Sequence, residues 1–166
     1  MSLENELRLR QPVSLLGHKA LLSTYYTASV LRRRAGEFFR PFGLTDVQFN
    51  VMMLLAYQSG AEGGLSQAEI GEMMLVNPAN ITTLVDRMER AGLVTRRAAA
   101  NDRRRNIIAL TPRGRTLLDQ VEPLYGREVE RIMAALKVSE QRSLVAMLEK
   151  VRGSISEYEP AGSATG

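Results

Sequence analysis

The feature that most constrains this chain is a change from helical to alternating period between Ser66 and Leu110. Ser66-Gln67-Ala68-Glu69 has the capping-box pattern, in which a serine hydroxyl accepts from a free amide and a glutamate three residues on returns to the cap. A short helix ending near Leu75 is expected. Asn77-Pro78 restarts the chain as cap and first helical residue, and Ile81, Leu84, Val85 and Met88 then recur on one side until Gly92 ends the run. The two helices are separated by only about three residues, the tight connection of a helix-turn-helix. After Gly92 the period falls to two. Leu93-Val94-Thr95-Arg96-Arg97 and Asn106-Ile107-Ile108-Ala109-Leu110 read as strands, joined by a polar stretch that ends in Asn101-Asp102-Arg103-Arg104-Arg105. That is a hairpin with a basic tip.

Helical segments flank this centre. Leu15, Leu22, Tyr25, Tyr26, Ser29, Val30 and Phe38 mark a long helix from Leu15 to Phe39, stopped by Arg40-Pro41-Phe42-Gly43 because proline lacks a backbone donor and glycine accepts a left-handed cap. Thr45 caps a second helix that buries Val47, Met52, Met53, Leu55 and Ala56. Thr111-Pro112 opens a long helix through Leu117, Leu118, Val121 and Leu124 to Leu136, with a kink expected at Pro123. Ser139 is expected to cap a last helix carrying Leu144, Val145, Leu148, Val151 and Ile155, before a small, polar tail over 159–166 that reads as disordered. The fold class is therefore mainly α with a small β-hairpin.

Charge is distributed unevenly. From Asp86 to Arg115 nine arginines face three acids, a net +6, which leaves −2 for the rest of a chain whose total is +4. A basic block in an otherwise slightly acidic protein is the footprint of a phosphate-backbone binder. Cysteine is absent, which excludes disulfides, thiolate metal sites and a thiol redox switch. With one histidine and no recognisable set of paired acids, an enzyme has little to work with, and no cofactor or metal is expected. No apolar run reaches bilayer length, and Glu4 and Glu6 stand where a signal peptide is basic, so a cytoplasmic protein without membrane contact is expected.

A helix that enters the major groove docks by an apolar face and offers short polar side chains on the other. The segment from Asn77 onward does so: with its apolar residues inward, Ala79, Asn80, Thr82, Thr83, Asp86 and Arg87 remain outward. Asn80 suits an adenine edge, Thr83 a hydrogen bond or a thymine methyl, and Arg87 a phosphate or guanine. In the hairpin, Arg103, Arg104 and Arg105, with Arg96 and Arg97 on the preceding strand, are candidates for minor-groove and phosphate contacts. Asp102 repels an anion and is expected to scaffold this wing by pairing with an arginine, Arg104 foremost.

These residues reach a known pattern. Leu65-Ser66-Gln67-Ala68-Glu69-Ile70-Gly71, the run from Asn80 to Val94, Asp102-Arg103-Arg104 and Leu110-Thr111-Pro112-Arg113-Gly114 together strongly resemble the MarR family of bacterial transcription regulators. The resemblance implies a homodimeric winged helix-turn-helix, a ligand-responsive repressor on a palindromic operator in double-stranded DNA. It implies one domain over 1–166, with a DNA-binding lobe at about 44–112 and dimerisation helices at 12–40 and 112–158. The broad apolar stripes of the terminal helices point independently to a second copy. Such regulators often sense small phenolic or lipophilic effectors, for which His18, Tyr25, Tyr26 and Tyr57 are the candidate contacts. The competing reading is a winged-helix interaction module that does not read DNA, but the outer face at Ala79, Asn80, Thr82 and Thr83 carries none of the acidic or bulky residues such a module would show.

Overall fold

The computed structural model describes residues 2–60, 63–74, 78–99 and 106–157. In chain order the elements are α1 (Leu3–Glu6), α2 (Leu16–Phe39), a 3-10 turn (Arg40–Phe42), α3 (Asp46–Tyr57), β1 (Leu65–Ser66), α4 (Gln67–Met74), α5 (Pro78–Arg90), β2 (Val94–Ala98), β3 (Asn106–Leu110), α6 (Pro112–Met133) and α7 (Val138–Glu157). The expected helices and hairpin are all present. Two short elements were not expected: α1, with Ser2 as its cap, and β1.

Local chemistry explains the boundaries. Gly43, at a φ of 68°, supplies the left-handed residue that ends the α2 run after Arg40–Phe42. Thr45 and Gln48 form a reciprocal capping box: the Thr45 amide donates to Gln48 Oε1 (2.9 Å) and the Gln48 amide to Thr45 Oγ1 (3.2 Å). Ser66 and Glu69 do the same for α4, at 2.7 and 3.2 Å. The last helix differs from expectation. It begins at Val138, Ser139 lies inside its first turn, and the Glu140 carboxylate rather than the serine satisfies the Lys137 amide at 2.7 Å.

The sheet is three-stranded and antiparallel in the order β1-β3-β2. Val94 pairs with Leu110 and Ala98 with Asn106, and Leu65 and Ser66 pair with Ile108 and Ile107 on the other edge of β3. The hairpin is thereby extended by a strand of two residues. Glycine is required at the loop into β1, because a Cβ on Gly64 would lie 2.3 Å from the Ile108 carbonyl oxygen.

Contacts divide the chain into Met1–Asp119 and Gln120–Gly166. The division falls within α6 beside Pro123, whose ring nitrogen has no hydrogen to offer the Asp119 carbonyl, although the helix runs on to Met133. In the first unit Phe39, Phe49, Met52, Ile70, Ile81, Met88, Ile107, Ile108 and Leu118 are completely buried. Phe39 and Phe49 stack with ring centroids 4.7 Å apart. Each such side chain contributes roughly 1.5–3 kcal/mol. In the second unit the Gln141 amide reaches the Met133 and Leu136 carbonyls at 3.3 and 3.0 Å, satisfying oxygens at the end of α6. No helix among the described residues is long and apolar enough to cross a membrane.

Candidate nucleic-acid interface

The candidate site is built on α5. Ile81, Val85 and Met88 are completely buried and Leu84 half-buried, one apolar face at helical spacing. That face docks the helix and commits the opposite face outward. Asn80, Thr82, Thr83 and Arg87 are all exposed on it, so the structure brings together four of the expected base-reading or phosphate residues. Ala79 belongs to the first turn of α5. Asn77, and the wing residues Asp102, Arg103, Arg104 and Arg105, lie outside the described residues.

Arg96 departs from expectation. It leaves β2 toward α5 rather than toward open solvent, pairing with Asp86 through Nη2 and with Glu89 Oε2 through Nη1 at 2.6 Å, while its amide donates to Glu89 Oε1 at 3.1 Å. Carboxylates three apart on one helix face, met by the planar fork of a single guanidinium, make a brace between helix and sheet. Partial burial opposes the charge on Arg96, but the bonds from Asp86 and Glu89 outweigh it and hold the group above the usual arginine range. With its charge offset by two carboxylates and its side chain 22% exposed, Arg96 offers a phosphate less than an open arginine does. Asp86, expected to point outward, is half-buried for the same reason. The Asp86 and Glu89 spacing was visible in the sequence, but nothing local identified their partner.

Other cations remain available. Arg87 and Arg97 are exposed, as are Arg113 and Arg115 at the start of α6, and among the described residues none of the four has a carboxylate partner. Arg97 stays near the loop at Gly63, with its guanidinium 3.7 Å from where a Cβ there would stand.

A junction missed in the sequence ties the exit of α5 to the end of β3 and the start of α6. After α5 the chain turns at Gly92, with φ 69°. The Thr111 hydroxyl donates to the Gly92 carbonyl at 2.6 Å and accepts from the Gly114 amide at 2.9 Å, and its own amide donates to the Leu93 carbonyl at 3.1 Å. One threonine thus caps α6 and holds the exits of α5 and β3 together. Gly114 completes the fit, since a Cβ there would stand 2.0 Å from the Leu93 oxygen. The signal was the Thr111-Pro112-Arg113-Gly114 sequence, readable as a helix start but not as a clasp.

The four residues expected to meet a ligand are not walled in together. His18, Tyr25 and Tyr57 are exposed and Tyr26 is half-buried. A groove of about 380 Å³ on α7 is lined by a different set, Val138, Gln141, Arg142, Val145, Ala146 and Glu149.

Comparison with known proteins agrees with this geometry. Residues 42–105 match the family model described as MarR family. The chain is 32% identical over 127 residues to the HTH-type transcriptional repressor Rv2887 of Mycobacterium tuberculosis, covering 76% of this chain and 88% of that protein. Among solved structures, the fold resembles MepR of S. aureus in its DNA complex, with TM-score 0.71, 22% identity and coverage of 81% of this chain and 94% of that one. It also resembles CouR of Rhodococcus jostii RHA1 bound to p-coumaroyl-CoA, with TM-score 0.70, 24% identity and coverage of 89% and 98%.

Proposed function

The chain belongs to the MarR family of transcription regulators, and on that premise we propose that it is a sequence-specific binder of double-stranded DNA that acts as a homodimeric repressor. One observation carries the reading: α5 buries Ile81, Val85 and Met88 and turns Asn80, Thr82, Thr83 and Arg87 to solvent, the division of labour a major-groove helix needs. In this reading Asn77, Ala79, Asn80, Thr82 and Thr83 face base edges. Arg87, Arg97 and the wing's Arg103, Arg104 and Arg105 supply groove and phosphate affinity, with Asp102 as wing scaffold. Arg96 acts at one remove, by bracing α5.

The dimer rests on apolar surface. Leu16, Tyr25, Val138, Val145, Met147 and Ile155 are 55–80% exposed in the single chain, on α2 and α7, and burying such stripes against a second copy removes them from water. Regulation by a small phenolic or lipophilic effector is supported by the p-coumaroyl-CoA bound to CouR, and His18, Tyr25, Tyr26 and Tyr57 are the residues proposed to meet it. Selection of bound duplexes from a random-sequence pool tests the whole reading. It should return an inverted repeat with half-sites about one helical turn, roughly 34–36 Å, apart. Sedimentation at micromolar concentration should give a dimer. Recovery of sequences without consensus, or a monomer, defeats it.

A further inference from the structure

Gln67 opens α4, and its main chain is fixed by the adjoining Ser66–Glu69 capping box. Its side chain crosses to the next helix, where the amide nitrogen donates to Thr82 Oγ1 at 3.2 Å. This is a contact between side chains fifteen positions apart on the two helices of the helix-turn-helix, and it lands on the exposed face of α5.

Thr82 differs from two other helical threonines, Thr24 and Thr116. Thr24 and Thr116 turn their hydroxyls back to the carbonyls of Ala20 and Pro112, each at 3.0 Å, the usual resting place of a threonine in a helix. Among the described residues Gln67 is the partner of the Thr82 hydroxyl. A hydroxyl has one hydrogen and two acceptor positions. Gln67 fills one of the two acceptor positions, so a lone pair and the hydrogen, which goes to no acceptor among the described residues, are what Thr82 has left to offer.

We propose that Gln67 is a positioning residue that holds the Thr82 hydroxyl as a hydrogen-bond donor toward an acceptor on a base edge, such as a purine N7 or a thymine O4. The inference rests on the reading of α5 as the base-reading helix. Gln67 then sets sequence preference through Thr82 without touching a base.

A double-mutant cycle separates this from a merely structural tie. Full-length wild type, Gln67→Met, Thr82→Val and the double variant are titrated with the best duplex from the random-sequence pool and with a scrambled duplex, and the affinity ratio is the readout. Melting temperatures are taken alongside. Gln67→Met should lower the ratio about fivefold when Thr82 is present, the low end for a base-edge contact, and less than about twofold in the Thr82→Val background. No change with Thr82 present overturns the proposal. An equal loss in both backgrounds also overturns it, because Gln67 then acts on its own. If Gln67→Met does not fold, Gln67→Ala takes its place in the same cycle. A wild type that prefers no duplex removes the base-reading premise and this inference with it, whereas a strong wild-type preference with an additive cycle removes the inference alone.

Discussion

Replacing Arg96 by alanine separates a brace from a DNA contact. In the structure the guanidinium is 22% exposed and its partners Asp86 and Glu89 are 44% and 39% exposed, so the pairs are neither fully solvated nor fully buried. Exposed ion pairs contribute roughly 0.2–1 kcal/mol and hydrogen bonds to shielded charges roughly 1.5–3 kcal/mol. Two pairs in an intermediate setting, screened through their half-open carboxylates, are worth about 1.5–2 kcal/mol together. The Arg96 amide keeps its bond to Glu89 in the variant, so that contribution is not lost. At about 2–4 °C per kcal/mol for a chain of this size, Arg96→Ala should lower Tm by roughly 3–8 °C. Lysine can reach one carboxylate but not both, so Arg96→Lys should recover about half of the loss. Thermal unfolding at fixed protein concentration gives the shift, and the salt dependence of binding to a nonspecific duplex gives the comparison. A brace lowers Tm and leaves the salt slope intact. An unchanged Tm with a slope smaller by about one phosphate contact would refute the reasoning and return Arg96 to the DNA surface.

Three further outcomes are expected. Gly114→Ala places a methyl 2.0 Å from the Leu93 carbonyl oxygen, and the forced shift should cost about 1–3 kcal/mol or more, read as a lower urea midpoint. Thr111→Val removes the hydroxyl that joins Gly92 to Gly114 and should cost about 1–3 kcal/mol by leaving those groups unpaired; a midpoint within error of wild type removes the clasp. The Lys19 side chain, hydrogen-bonded to Glu4 at 2.6 Å, holds that carboxyl below its usual range. Its contribution to docking α1 is therefore complete above the ordinary carboxylate range and lost as pH falls through the lowered folded value. Hydrogen exchange at the Glu6 and Leu7 amides, which donate to the Ser2 and Leu3 carbonyls, corrected for intrinsic rates, should speed up on acidification through that window in wild type but not in Lys19→Met.

Much of this architecture was legible because its signals are local. The Ile81, Leu84, Val85 and Met88 spacing located the buried face of α5 and so its outer face, and the boxes at Thr45 and Ser66 need only residues three apart. What was missed is non-local. A strand as short as β1 exists because Ile107 and Ile108, some forty residues on, accept it as an edge, and no periodicity can be read from two residues. Arg96 looked like a phosphate contact because sequence shows its charge but not the carboxylates that α5 turns toward β2. The last helix begins at Val138, ahead of the expected Ser139 cap, a shift of one or two residues at a helix end that propensity does not resolve. The tyrosines and His18 were candidate ligand contacts only through the family resemblance, and in the single chain His18, Tyr25 and Tyr57 are exposed while Tyr26 is half-buried.

The central claim is that the outer face of α5 reads bases, and fluorescence-anisotropy titration of wild type, Asn80→Ala and Thr83→Ala against the selected duplex and a scrambled one of equal length tests it most directly. Wild type should favour the selected duplex by about a thousandfold or more at physiological salt. Each substitution should remove roughly 1–3 kcal/mol of that preference while affinity for the scrambled duplex holds. Equal wild-type affinity for the two duplexes, or variants that keep the full preference, would contradict it.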